Sequence, residues 1–554
     1  MRSRAIVVMA VLSAALVTGG WLVERGLAAG PTAREGARLF DNVMTHVARY
    51  YVDPINADTL YRKAVDGMLY ELHDPHTAYL DARRLERLTE STTGNYGGLG
   101  IEIDVRAGWI TIISPLPGGP AERAGLQTGD RIVEINGKST RGLTSDEATR
   151  SLRGATGSSV TFTVERPGVE ARLPFTLTRR TIHARAVRRV TMLRPAVGYL
   201  DLRIFSDSTA SEVAQAVDSL RGRGARGLVI DLRNNPGGLL DQGVSVSDLF
   251  LDVGQQVVTT RGRSRIETQA FMDKAPQRWP DLPIVLLVNG GTASASEIVA
   301  GALQDHDRAV LVGETSYGKG SAQTLFPVGT GRGAGALKLT TALWHTPVGR
   351  SINKRPIVAD DEDGADDGAD SDTPPDSVPL SERQKFRTDG GRTVYGGGGI
   401  TPDVIVRDTT APTRALAFQQ ALGEGLPRFR DALTDYALSL RASRGVTSPD
   451  FQVTPAMRAE LFRRMTQRGV AMSQGTYAEH VGVVDRLLTY EIARYVFGAD
   501  AELRRTARDD QVIGAALALL EGLPSRGELL RRAGELQARQ QQLERQARDS
   551  ATSR

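Results

Sequence analysis

The 554-residue chain contains no cysteine, which excludes disulfides and thiolate-bound zinc and by itself says little about compartment. Histidine is scarce. His73 and His76 flank Asp74–Pro75, but no third histidine lies nearby and no His-Glu-x-x-His occurs, so this reads as a helix-ending turn, not a metal site. Neither sign of charge dominates: 69 basic residues face 65 acidic ones, and nothing points to a nucleic-acid partner. No internal repeat is evident. What the amino terminus does carry is a run of 19 uncharged, mostly apolar positions, Ala5 to Val23, behind Arg2 and Arg4. This length suits a bilayer span or a secretory signal, with the basic flank left in the cytoplasm. Ala28 and Ala29 offer a cleavage site, while Glu24 and Arg25 directly after the run favour an uncleaved inner-membrane anchor. Either way the rest is expected outside the cytoplasm, in the cell envelope or periplasm.

The stretch 289–323, NGGTASASEIVAGALQDHDRAVLVGETSYGKGSAQ, organises the chain. Ile284–Val288 is short, apolar and β-branched, which predicts a buried strand. Gly290 and Gly291 break it, and apolar residues then recur with helical spacing at Ala295, Ile298, Val299, Ala302 and Leu303. A second strand, Ala309–Gly313, leads to a glycine-punctuated loop carrying Lys319. A serine at a helix start and a lysine on a glycine-rich loop suit a nucleophile and its base. Two plainer readings compete. Ser294-x-x-Glu297 is a capping box, and Gly313–Lys319 fits a phosphate-binding loop. The latter fails, because Gly320 stands where Ser or Thr would hold Mg²⁺ and a strand-like run follows where a helix should begin.

Residues 34–92 read as helices, with Leu39, Val43, Val47 and Tyr50–Tyr51 on one apolar face and Leu60, Ala64, Met68, Leu69 and Leu72 on another. Residues 94–178 show strand patterns at Leu99–Val105, Trp109–Ile113, Arg131–Ile135 and Val160–Glu165, with a helix over Ser145–Leu152. From about Val190 a second sheet-bearing unit begins. Its buried strand Gly227–Leu232 ends in Arg233-Asn234-Asn235-Pro236-Gly237-Gly238. Residues 358–397 contain an acidic, proline-bearing tract, expected to be a disordered insertion because like charges repel and little can be buried. Its glycines and acids are out of register with a twelve-residue calcium loop. Residues 411–554 are mainly helical by pattern. Leu529, Leu536 and Leu543 recur every seven residues, but Ala533 and Gln540 are weak seam positions, which predicts a short surface helix.

ASASEIVAGALQD followed by VGETSYGKGSAQT closely resembles the core of the C-terminal processing peptidases, or tail-specific proteases. DLRNNPGG, GRSI at 349–352, GGITPDVIV at 398–406 and the helical segment YYVDPINADTLYRKAVDGMLYELHDPHTAYL match in the same order. GGLGIEI, GGPAERAGLQTGDRIVEINGKS and SVTFTVER resemble a PDZ domain.

The resemblance implies an α+β multidomain chain. Its parts would be a signal peptide or anchor (1–33), an N-terminal helical region (34–92), a PDZ domain (94–178), a crotonase-like β/α protease core (190–410) and a helical C-terminal extension (411–554). It implies a serine endopeptidase acting on proteins bound by their C-terminal tails, without metal or other cofactor. The nucleophile falls on Ser294, the general base on Lys319 and the lysine-orienting residue on Gln323, with Glu297 also typical of the site. The oxyanion donors are the backbone of Gly237 or Gly238 and Ala295, the choice of glycine being open. Gly98, Leu99, Gly100 and Ile101 would hold the peptide terminus. Ser296 competes for the nucleophile, but the 25-residue spacing to Lys319 favours Ser294. An inactive tail-binding scaffold and a hydrolase using His306 or His345 as base are the rival functions. The substrate, and whether copies of the chain or an adaptor associate, are left open.

Overall fold

The computed structural model describes residues 31–106, 108–166, 169–329, 334–354, 382–407 and 410–552. The apolar run Ala5–Val23 and most of the acidic tract lie outside them. Among the described residues, no helix is long and apolar enough to cross a membrane. Two units partition the chain: 1–82 with 323–340, and 83–322 with 341–554.

The smaller unit opens with helices Pro31–Tyr50 and Ala57–Tyr70, the second capped by Asn56, which accepts the Thr59 N–H at 2.7 Å. At its end Asp74 accepts the His76 N–H (2.9 Å) and the Thr77 hydroxyl (2.6 Å), so the two histidines flank an Asx turn. No group of three or more side chains suited to a metal ion occurs among the described residues. The helical faces depart from expectation: Leu39, Val43, Tyr50, Tyr51, Met68 and Leu72 are exposed, while Met44 and Leu69 are buried. An apolar stripe marks which face is hydrophobic, and leaves open what covers it. Strand Ala78–Asp81 pairs antiparallel with Gly335–Lys338 in the same unit.

In the larger unit, strands Ile101–Arg106, Trp109–Pro115, Arg131–Ile135, Ser159–Glu165 and Leu173–Thr178 form one antiparallel sheet in that order. Alternation places Ile110, Ile112, Ile132, Val160, Phe162 and Val164 in its core. Helix Ser145–Leu152 opens with a capping box, Thr144 accepting from the Glu147 N–H (3.3 Å) and Glu147 from the Thr144 N–H (2.9 Å). Ile101–Arg106 is one of the two edge strands, the other being Leu173–Thr178, and an edge of this kind can take an added strand.

The second sheet has six strands in sequential order: β1 (Val187–Arg194), β2 (Val197–Leu202), β3 (Gly227–Asp231), β4 (Ile284–Val288), β5 (Val310–Gly313) and β6 (Val404–Ile405). β1 pairs antiparallel with β2, and the remaining pairs are parallel. β2 to β5 are buried on both faces, which is why β4 and β5 read as unbroken apolar runs and β2 and β3 are interrupted only by the buried Asp201 and Asp231. One face, through Leu200, Ile230, Leu286 and Val288, packs on helices α1 (Thr209–Gly222), α2 (Leu240–Asp248) and α3 (Ala295–Asp305). The other, through Tyr199, Val229, Val285, Leu287 and Val312, packs on Leu503, Ile513, Ala516, Leu520, Leu529 and Ala533 of the C-terminal helices. That extension therefore completes the core instead of hanging from it. Losing such a cover would expose several aliphatic side chains, each worth about 1.5–3 kcal/mol on burial.

Two expectations need correction. The stretch 358–397 is not irregular throughout: Lys385–Arg387 and Thr393–Tyr395 form an antiparallel pair. A hydrogen bond between His306 and Asp389 and the ion pairs Arg392–Asp307 and Arg392–Asp403 tie it to the core. The acidic composition upstream hid its Thr-Val-Tyr alternation. The final helix, Arg526–Thr552, is 27 residues long, and its first half is no surface helix, because Leu529 and Ala533 are each 1% exposed. Ala533 looked weak as a coiled-coil seam because it packs on a sheet, where a small residue fits.

Candidate active site

Three parallel strands end beside one another, and a functional segment leaves the carboxyl end of each, where open parallel sheets usually hold their ligands. β3 leads into 232–238, β4 into 289–294 and β5 into 314–320. The turn after β4 raises Ser294 with φ 56° and ψ −118°, a conformation costing a non-glycine residue on the order of 1–3 kcal/mol. A sharp strand-to-helix turn of this kind presents a hydroxyl at a sheet edge. Ser294 is partly exposed, whereas its rival Ser296 is fully buried and donates to the Asn235 carbonyl at 3.1 Å.

Glu297 is fully buried and accepts four hydrogen bonds. Oε2 takes the backbone N–H groups of Ser294 (2.8 Å) and Lys319 (2.9 Å). Oε1 takes the Ser316 hydroxyl (2.5 Å) and the Gly318 N–H (2.7 Å). One carboxylate thus clamps the start of α3 to the loop that carries Lys319. Burial pushes the Glu297 carboxyl up, while the bonds from Ser316, Lys319, Gly318 and Ser294 pull against that shift. The capping reading of Glu297 holds, and it is not the whole role. The N–H of Glu297 itself is satisfied by the Ser294 carbonyl at 2.8 Å, so the helix start does not require the Ser294 hydroxyl.

The lysine loop is fixed at each residue from Ser316 to Gly320. Ser316 exchanges bonds with Ile400, Tyr317 N–H donates to the Thr292 carbonyl (2.9 Å), and Gly320 N–H donates to Asn353 (2.6 Å). Lys319 is half-buried. The Gly318 and Lys319 amides that a phosphate would need are committed to Glu297, so this is no phosphate cradle. Gln323 lies in the smaller unit, where its amide donates to Thr340 at 3.3 Å.

On the β3 side, Gly237 N–H donates to Asn235 Oδ1 (2.9 Å), and the Gly237 carbonyl accepts from Phe205 (2.9 Å). Across a trans peptide the Gly238 N–H points opposite to that carbonyl. A side chain at Gly237 would meet Ala295 N and Ser294 Cβ at 2.8 Å, so the turn lies directly against the serine. Ala295 is the first residue of α3, whose leading N–H groups have no partner within the helix. Asn235 and Ser316 were not singled out from the sequence. Both are buried polar residues inside motifs already read, visible only once the loops meet. His306 sits at the far end of α3, about 18 Å along the helix from Ser294. Its ring faces Asp389 (2.7 Å) and the Gln256 carbonyl (2.7 Å). His345 Nδ1 is buried without a partner, and burial, with Arg261 nearby, lowers its pKa.

In the first sheet, a cavity of about 180 Å³ lies between the edge strand and helix Ser145–Leu152. Gly98, Leu99, Gly100 and Ile101 line it, as do Tyr96, Thr149, Leu152 and Arg153, which motif reading did not pick out. Arg153 covers the Tyr96 ring at 4.0 Å and pairs with Glu90 at 3.0 Å.

Residues 196–362 match peptidase family S41, and residues 111–166 match the PDZ domain. The carboxy-terminal-processing protease of Bartonella bacilliformis is 42% identical over 325 residues, covering 58% of this chain and 73% of that protein. The carboxyl-terminal-processing protease of a Synechocystis species is 40% identical over 303 residues, covering 54% and 70%. CtpA of Bacillus subtilis is 36% identical over 307 residues, covering 55% and 64%. Among solved structures, a photosystem II D1 C-terminal processing protease aligns at 29% identity and a TM-score of 0.35, covering 66% of this chain and 86% of that one. With a PDZ domain, an S41 core and this degree of identity, the chain belongs to the carboxy-terminal-processing proteases, which are serine-type peptidases of family S41.

Proposed function

We propose that Ser294 is the nucleophile and Lys319 the general base of an exported endopeptidase that binds proteins by their C-terminal tails. The Glu297 carboxylate carries this reading, because it bonds the Ser294 and Lys319 amides through a single oxygen. Neutral Lys319 takes the Ser294 proton as the hydroxyl attacks the peptide carbonyl, then passes it to the leaving amine. Water hydrolyses the acyl-enzyme by the same route in reverse. The oxyanion is received by the N–H groups of Gly238 and Ala295, since Gly237 N–H is engaged by Asn235. Each donor contributes roughly 3–4 kcal/mol to the transition state in comparable hydrolases. Gln323, four residues beyond Lys319, is assigned to orient the lysine. A tail enters as a strand beside Ile101–Arg106, its carboxylate received by the loop at Gly98–Ile101. Export and membrane attachment are assigned to the apolar run Ala5–Val23.

The experiment is peptide mapping after reaction with a fluorophosphonate. The adduct is expected on Ser294 and absent in Lys319→Ala. An adduct on Ser296, or undiminished labelling of Lys319→Ala, contradicts the assignment.

A further inference from the structure

The carboxyl end of β3 is held by a residue far outside the matched segments. Arg233 closes a two-pronged bond on Asp231, Nε to Oδ1 at 2.9 Å and Nη2 to Oδ2 at 2.7 Å. Its remaining prong, Nη1, donates to Asp510 Oδ2 at 2.8 Å. Tyr199 donates to the same Asp231 carboxylate at 2.8 Å inside the core. Asp510 belongs to the C-terminal extension, beyond both family matches at 111–166 and 196–362. Its other oxygen caps helix Gln511–Leu519, accepting from Val512 (2.9 Å) and Ile513 (3.0 Å), and both of those side chains are buried on the sheet. The two carboxylate oxygens thus have separate duties. One fixes the helix to the sheet, and the other fixes Arg233.

Arg233 begins the turn that ends at Gly238. Its own N–H is held by Asp231 (3.0 Å), and the next residue, Asn234, has φ 57° and donates to Asn289 at 2.9 Å. The turn is also held within the core, by Asn235 N–H on the Leu232 carbonyl (3.2 Å), Asn235 Nδ2 on the Leu202 carbonyl (2.8 Å) and Arg203 on the Arg233 carbonyl (3.4 Å), and Arg233 is its link to the C-terminal extension. Burial lowers the tendency of Arg233 to stay charged, but its bonds and charges with Asp231 and Asp510 outweigh that, so the guanidinium keeps its proton.

We propose that Asp510 is a positioning residue for the peptidase reaction: through Arg233 it sets the 233–238 turn that presents the Gly238 N–H to the oxyanion. The proposal rests on reading Gly238 as an oxyanion donor. The helical extension would thereby be part of the catalytic apparatus without touching substrate. Small displacements of such donors are costly, with about 1 Å enough to lose a large share of rate.

The test uses the full-length protein and Asp510→Asn, which keeps a helix cap of equal quality while removing the charge. The expected result is a roughly tenfold fall in kcat for a tailed substrate, with KM and tail affinity unchanged. Fluorophosphonate labelling of Ser294 should slow by a similar factor, and Asp510→Glu should recover part of the rate. Parental kcat and labelling in Asp510→Asn overturn the proposal and leave Asp510 a cap alone. If Asp510→Asn melts more than about 5 °C early, Arg233→Lys, which leaves the Asp510 helix cap intact, decides: a lower kcat at unchanged KM supports the proposal, and parental kcat overturns it. Undiminished turnover by Ser294→Ala is a different failure, one that removes the nucleophile assignment whatever Asp510 does.

Discussion

Replacing Glu297 by glutamine changes one oxygen to an amino group and little else in shape. The four groups around it all donate: the Ser294, Gly318 and Lys319 amides and the Ser316 hydroxyl. If the new NH₂ takes the Oε2 position, it confronts two backbone N–H groups that cannot turn away. At the Oε1 position it confronts Gly318 N–H and a Ser316 hydroxyl that can rotate. The second arrangement costs less and still leaves one buried amide unsatisfied, about 1–3 kcal/mol, besides weakening every charge-assisted bond that remains. A total near 3 kcal/mol is expected, seen as a fall in Tm of roughly 3 °C, because the unfolding entropy of so long a unit is large. The kinetic loss should be larger than the loss of fold, because Ser294 and Lys319 move relative to each other, and about 10²-fold in kcat is expected. The assay pairs scanning calorimetry with single-turnover cleavage of a peptide bearing a free C-terminus. Parental kcat in Glu297→Gln would refute the reasoning, since it would mean that the carboxyl already carries a proton and donates.

Ser296→Ala should keep near-parental kcat and lose about 1 kcal/mol of stability with its bond to Asn235; abolished labelling would transfer the nucleophile to Ser296. Amidating a peptide's C-terminus should weaken its binding to the 94–178 region about tenfold or more by titration calorimetry, because one charged acceptor is lost; equal affinities would remove the carboxylate role from Gly98–Ile101. Asp248 is held up to about 6 by burial and by Asp273 nearby. The folded state therefore binds the proton more tightly than the unfolded chain, so the stability it lends is present below its ordinary pKa of 3.8 and lost as pH rises towards 6. Asp248→Asn should accordingly raise Tm at pH 7.5 more than at pH 4, and an equal change at both would contradict this.

Much of the fold was legible because local chemistry and tertiary context agree. The β4 run Ile284–Val288 is apolar throughout since both of its faces are covered, and Gly290–Gly291 marks the turn towards Ser294. Strands covered on both faces need a second layer, and the identity of that layer was not readable from the runs themselves. Ala516, Leu529 and Ala533 acquire meaning only against Val229, Leu287 and Val312, hundreds of residues earlier. The site divides in the same way. Ser294, Glu297 and Lys319 stand within one recognisable stretch, whereas the choice between Gly237 and Gly238 turned on Asn235, whose amide engages one of them. Composition misled at 382–397, where a short pair of strands follows an acidic tract and is secured by His306, Asp307 and Asp403. Ion pairs between distant segments leave no periodicity to find.

The central claim is that Lys319 acts as a neutral base towards Ser294. A lysine at its ordinary pKa of about 10.4 would be almost wholly protonated at neutral pH, so catalysis requires the site to lower it. The most direct measurement is the rate of Ser294 acylation by a tailed substrate across pH, followed by intact-protein mass spectrometry in the parental enzyme and in Lys319→Arg. The account predicts a rate that rises with pH through a single ionisation well below 10.4, and no acyl-enzyme in Lys319→Arg, because arginine keeps its proton at every usable pH. Acylation of Lys319→Arg at the parental rate, or a parental profile unchanged in the variant, would contradict it.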